Sequence, residues 1–131
     1  MKGGLKRVNR ILITNNSKAK IKFEDKLDVL YFDTNYLEIL YYVRDKIHLN
    51  YKLLTHPMAG SLKPNQTPFK SILLEESYGI DMQGLLLIEN SIEVTKMFLK
   101  FKSTPNWPEH ILNDFKTVDL SLVEYSVIKA N

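Results

Sequence analysis

Three prolines, Pro57, Pro64 and Pro68, interrupt the middle of this chain and constrain its fold more than any other feature. Proline has no backbone N–H and fixes its own φ, so neither a helix nor a central strand can run through this segment. Apolar runs typical of buried strands flank it on both sides. The chain must therefore bring regular elements together across one long irregular connection, which begins near Thr55 and ends near Ser71.

Apolar and β-branched runs, bounded by turn-forming residues, predict the strands. We place strands at residues 10–14, 27–32, 51–55 and 70–75. A turn cluster follows the first strand at residues 15–17.

Apolar residues at helical spacing predict the helices. One helix runs from an N-cap at Asn35 to His48, with Asn50 as its stop, and a longer one runs from an N-cap at Asp81 to about Phe101. A break at residues 103–106 precedes a short helix at 107–116. Residues 118–129 fit both a helix and an edge strand, and we choose the helix.

The order strand, helix, strand suggests a right-handed crossover onto a parallel sheet. A length of 131 residues fits one domain with a single core. We therefore predict an α/β fold, a single compact domain with a small, mostly parallel sheet and helices packed against it. That domain spans residues 10–131 and follows a basic flexible arm, residues 1–9.

Composition excludes several classes of site. The chain has no cysteine, which rules out disulfides, thiolate nucleophiles and cysteine metal ligands. Its three histidines, His48, His56 and His110, show no ligand spacing, so we predict no metal and no cofactor. No apolar run reaches the roughly 18 residues of a membrane span, and we predict a cytoplasmic protein without membrane contact.

The basic charge is concentrated at the start of the chain. Residues 1–26 hold eight lysines and arginines but only two acids, within a net charge of +3. Such a segment can attract nucleic acid or an acidic protein face. Because the charges are scattered and lack interleaved aromatic residues, we disfavour nucleic acid and favour a solvated edge.

The connection between the third and fourth strands is the candidate site. No acid occurs from Lys46 to Leu74, and polar residues follow the first and third strands where each ends. If these strands are parallel neighbours, the polar residues meet at one edge of the sheet, where α/β proteins bind ligands. The predicted binding residues are Asn15, Asn16, Thr55, His56, Gly60, Ser61, Lys63, Asn65, Thr67 and Lys70.

Such a site would bind a carboxylate or a phosphate through ammonium and backbone N–H groups. The alternative is that the same side chains hydrogen-bond the backbone of their own connection, which has to be satisfied. We predict no confident catalytic residue. We favour a non-enzymatic protein that recognises a partner protein or a small anion; the alternative is a small enzyme on an anionic metabolite, with His56 as general base. The oligomeric state is left open, and a homo-oligomer is one alternative.

Several stretches resemble the GrdX family, small proteins encoded alongside the glycine, sarcosine and betaine reductases of amino-acid-fermenting anaerobes. The matching stretches are residues 11–16, 43–48, 52–57, 60–71, 88–93, 114–116 and 119–122. The resemblance implies an accessory role in a glycine reductase system, with a reductase component as the protein partner. It implies no catalytic residue. Without cysteine, this chain cannot relay electrons through its own thiols.

Overall fold

The computed structural model describes residues 8–58 and 62–130, which form four strands and four helices. In chain order these are β1 (Arg10–Thr14), α1 (Ser17–Phe23), β2 (Asp28–Tyr31), α2 (Tyr36–His48), β3 (Tyr51–Leu53), β4 (Ser71–Glu76), α3 (Met82–Phe101) and α4 (Glu109–Ala130). All four predicted strands are therefore present, as are the two long helices on either side of the connection.

The sheet has the strand order β2-β1-β4-β3 and is mixed. β1 is parallel to β2, whereas β4 is antiparallel to both of its neighbours, β1 and β3. The α/β class is confirmed, but a mostly parallel sheet is wrong. Parallel neighbours need a long crossover, usually a helix. The described residues of the connection from β3 to β4 form no helix, and β4 returns antiparallel beside β3 and separates it from β1.

Helices cover both faces of this sheet. Successive side chains of β1 and β4 point to opposite faces of the sheet, as strand geometry requires. Ile11, Ile13, Ile72 and Leu74 pack with α2 and α3 on one face, in a cluster that also includes Tyr36. On the other face, α1 and α4 enclose the core residues Leu12, Leu73, Phe23, Val123 and Val127. The two central strands are thus buried on both faces.

Polar side chains cap the helices at their first turns. Asn35 Oδ1 accepts a hydrogen bond from Glu38 N at 2.9 Å, and Asp81 Oδ1 accepts one from Gly84 N at 3.0 Å, so both predicted N-caps are confirmed. The turn predicted at residues 15–17 is instead the start of α1. Asn16 is its N-cap, with Oδ1 accepting from Lys18 N at 3.0 Å.

One continuous helix, α4, replaces the two elements predicted for the last quarter of the chain. The choice of helix for residues 118–129 is confirmed, and the separation from residues 107–116 is wrong. Asp119, Val123 and Val127 are buried at intervals of four residues, so a single face stays against the sheet. No Gly or Pro lies between Glu109 and Ala130 to end the helix.

Residues 1–7, most of the predicted basic arm, lie outside the described residues. Asn9, in contrast, is hydrogen-bonded to Glu76 at the end of β4 through both its N–H and its carbonyl. Among the described helices, none combines the length and the apolar character that crossing a membrane requires.

Asn50 makes the turn from α2 into β3 with a φ of 68°, in the left-handed region that costs most residues about 1–2 kcal/mol. We expect Asn50→Gly to keep the free energy of unfolding and Asn50→Val to lower it by about 1–2 kcal/mol, because a β-branched side chain fits this conformation worst. Urea denaturation of the two variants measures this. Equal stability of the two would contradict the assignment of strain to this turn.

Candidate functional site

A buried polar cluster lies where β1 ends and β4 begins. Thr14 and Ser71 are paired across the two strands, and their hydroxyl oxygens are 2.6 Å apart. Asn16 N donates to Thr14 Oγ1 at 2.9 Å as the chain leaves β1. All three residues are buried. Hydroxyl and amide groups at this depth require partners from another element.

The Asp119 carboxylate of α4 supplies those partners. Its Oδ1 accepts from Ser71 N at 3.1 Å, and its Oδ2 accepts from Ser71 Oγ at 2.6 Å and from Asn16 Nδ2 at 2.9 Å. Asn16 Nδ2 also donates to the Lys116 carbonyl at 2.9 Å. The carboxylate therefore joins α4 to β4 and to the start of α1.

Asn15 fixes the path of the connection before β4. Its Nδ2 donates to the carbonyls of Thr34 and Pro68, each at 2.8 Å, and its Oδ1 accepts from Lys70 N at 2.9 Å. The side chain is buried. Asn15 thus holds the last residues of the connection against the end of β1, in the manner that the structural alternative predicts.

Lys70 combines burial with the lack of a polar partner for its ammonium group. The residue is 6% exposed, and no hydrogen bond or salt bridge within the described residues involves Nζ. Burial lowers the pKa of the Lys70 amine, and the Asp119 carboxylate offsets part of this effect. Most of the Lys70 side chain is thus removed from solvent, and its ammonium group has no protein partner in the described part of the chain to replace the lost water.

Lys70 lines a small surface cavity of about 20 Å³, enough for one or two water-sized groups. The other lining residues are Tyr36, Leu62, Thr67, Phe69, Val118, Asp119 and Leu122. Burial, with a smaller contribution from the Asp119 carboxylate, raises the pKa of the Tyr36 phenol, which therefore stays protonated at neutral pH. Its hydroxyl donates to the Pro57 carbonyl at 3.3 Å.

The structure brings some of the predicted binding residues together and leaves others apart. Asn15, Thr67 and Lys70 lie around the end of the connection, and Asn16 binds the Asp119 carboxylate. Gly60 and Ser61 lie outside the described residues.

The remaining predicted residues have separate contacts. Thr55 Oγ1 accepts from Leu73 N at 3.2 Å, and Asn65 Nδ2 donates to the carbonyls of Phe98 and Lys102 at the end of α3. The side chains of His56 and Lys63 are exposed, and His56 Nδ1 accepts from Met58 N at 2.9 Å.

Sequence reasoning missed Asp119 and the site role of Tyr36. The signal for Asp119 is its position: it shares the buried face of α4 with Val123 and Val127, where a charge is unusual unless it is hydrogen-bonded. Tyr36 lies in the core at 5% exposure, but its hydroxyl reaches the connection. In the described part of the chain, no group of three or more His, Asp or Glu side chains is placed to hold a metal ion.

We expect Asp119→Asn to lower the free energy of unfolding by about 2–4 kcal/mol. Both carboxylate oxygens accept from donors, so the amide NH₂ group would face a donor in either orientation. Asp114→Asn, on the exposed side of the same helix, is the control and should change little. Urea denaturation gives both values; equal effects would argue against a structural role for the Asp119 carboxylate.

Comparison with known proteins gives one match. The family model described as GrdX-like protein matches residues 11–128, which is most of the chain and includes every element described above except the first residue of β1 and the end of α4. No curated protein and no solved structure matches significantly. The resemblance seen in the sequence is thereby confirmed. The chain belongs to the GrdX-like protein family, and this membership supports an association with glycine reductase systems.

Proposed function

We propose that this protein is a non-enzymatic accessory protein of a glycine reductase system, and that it recognises a carboxylate or phosphate group through the connection between β3 and β4. The single observation that carries this proposal is Lys70, a residue only 6% exposed that lines the cavity at the end of the connection, with an amine that has no polar partner among the described residues. Family membership supplies the association with the reductase, and Lys70 supplies the chemistry of recognition.

Asp119 does not serve as the missing partner of Lys70. Its two oxygens already accept three hydrogen bonds, and the described residues contain no salt bridge between Asp119 and Lys70. The attraction between them is therefore only partial, because the net effect still lowers the pKa of the Lys70 amine. An anion that entered the cavity would complete the neutralisation of the ammonium group.

The cavity is large enough for part of a carboxylate or phosphate group but not for a whole metabolite. A volume of about 20 Å³ admits one oxygen atom of a carboxylate or phosphate, with the rest of the ligand outside. Val118 and Leu122, which line it, are each more than two-fifths exposed, so the cavity lies at the surface. The connection itself contributes no acid, so the hydrogen-bonded carboxylate of Asp119 is the negative charge that lines the cavity among the described residues.

Such an anion has two sources, a free metabolite and an acidic group on a reductase component. Both offer the same carboxylate or phosphate chemistry to Lys70. The exposed side chains of His56 and Lys63 lie on the same connection and give a partner protein further polar contacts.

The enzymatic alternative has less support. The His56 imidazole accepts a hydrogen bond from the Met58 backbone at Nδ1, so the opposite nitrogen, Nε2, carries the proton in the neutral ring. A general base needs an acceptor nitrogen directed at the substrate. We therefore propose recognition and not catalysis as the role of the connection.

We expect acetate or phosphate to bind to the native protein and Lys70→Met to weaken this binding at least tenfold, about 1.4 kcal/mol, since a charge-assisted hydrogen bond is lost. Lys63→Met is the matched control and should bind as the native protein does. Affinity should also fall as pH rises through the lowered pKa of Lys70, because the neutral amine no longer attracts an anion. Isothermal titration calorimetry over a pH series measures both effects; equal affinity in the two variants would refute the role of Lys70.

A pull-down with purified glycine reductase components separates the two sources of the anion. Capture that depends on Lys70 and is competed by acetate or phosphate indicates an acidic group of the partner. If the free anions bind but no component is captured, the ligand is a small metabolite. Capture that is unaffected by Lys70→Met would show that the partner binds elsewhere and that the connection does not recognise it.

A further inference from the structure

The outward face of α3 is unusually apolar. Eight exposed residues lie opposite its buried side at helical spacing: Met82, Gln83, Leu86, Asn90, Glu93, Met97, Lys100 and Phe101. Leu86 is 68% exposed and Phe101 87% exposed. A surface helix normally carries charged and polar residues on this face, whereas here four of the eight positions are large and apolar and only two are charged. Such a patch is typical of an interaction surface.

The arrangement of this face is symmetric about its middle. Met82 and Phe101, Leu86 and Met97, and Asn90 and Glu93 are each equidistant from the midpoint between Ser91 and Ile92. If two copies of α3 packed antiparallel about a two-fold axis at this midpoint, every apolar residue would face an apolar residue. A face that matches its own reverse is what an isologous interface requires.

The polar residues are complementary in the same register. Asn90 would face Glu93 of the second copy, so that an amide donor meets a carboxylate acceptor, and the two-fold axis repeats this pair. Glu89 and Lys96 flank the face on one side; they are offset by two residues in this register, which leaves their opposite charges close enough to attract. Glu89 also bonds to the half-buried Arg44, and Lys96 bonds to the exposed Glu93, in surface pairs that contribute little stability.

A groove of about 460 Å³ lies beside the second half of this face. Its lining residues are Asn90, Glu93, Val94, Lys96, Met97 and Lys100. In the antiparallel register, Leu86 of the second copy would lie against Met97, which lines this groove. The groove therefore offers room for an apolar side chain at the position where the symmetry places one.

We infer that the protein forms a homodimer through antiparallel packing of α3 on α3 of a second copy. A helix of 20 residues is about 30 Å long. One such pair lies at the small end of specific interfaces, which bury about 1,200–2,000 Å² in total. We therefore expect a dimer that dissociates on dilution. This inference is independent of the proposed anion site, because none of the described residues that line that site belongs to α3.

Sedimentation velocity over a concentration series tests the dimer. We expect the native protein to pass from monomer to dimer as concentration rises, and Leu86→Glu to weaken association at least roughly tenfold, because a charge would be buried without a partner. Ile21→Glu on α1 is the matched control, since Ile21 is 69% exposed, and should dimerise normally. A native protein that stays monomeric, or a Leu86→Glu variant that associates as well as the native protein, would overturn the inference.

Cysteine cross-linking tests the register separately, because the chain has no cysteine of its own. Oxidation of a variant that carries both Leu86→Cys and Met97→Cys should give a covalent dimer. Neither single variant should cross-link, because the two copies of residue 86, and likewise those of residue 97, lie on opposite sides of the two-fold axis and far apart. A covalent dimer from Leu86→Cys alone would indicate parallel helices and contradict the antiparallel arrangement.

Discussion

Three hydrogen bonds to one buried carboxylate, that of Asp119, hold together the end of the sheet where the candidate site lies. A buried charge is tolerated only when donors replace its water, and here these donors come from Ser71 in β4 and Asn16 at the start of α1. The carboxylate lies on the same face of α4 as Val123 and Val127, which pack against Leu12 and Leu73 of the sheet. The last helix, the fourth strand and the first helix therefore depend on the same group.

This network explains why most of the polar residues near the site are unavailable to a ligand. Asn15 and Asn16 use their amide groups to bind backbone and carboxylate partners, and Ser71 and Thr14 bind each other. Lys70 differs because its backbone belongs to the network while its ammonium group remains without a partner among the described residues. The proposed recognition of an anion rests on this contrast.

Local signals in the sequence were sufficient for the strands, the two long helices and the caps at Asn35 and Asp81, since each depends on a few neighbouring residues. The direction of β4 depends on the path of the connection after Leu53, which no local pattern encodes. The whole of α1 was missed, because Asn16, its N-cap, is equally typical of a turn. The site was found only in part, because Lys70 and Asn15 lie on the connection whereas Asp119 comes from a helix almost fifty residues later.

The most direct test of the central claim is an NMR titration of the Lys70 amine in the native protein, with Lys70→Arg used to assign its signal. The account predicts that the pKa of the Lys70 amine lies below the ordinary value of a lysine, and that acetate or phosphate raises this pKa, because the anion favours the charged form. A Lys70 amine that titrates at the ordinary pKa of a lysine and does not respond to either anion would contradict the account.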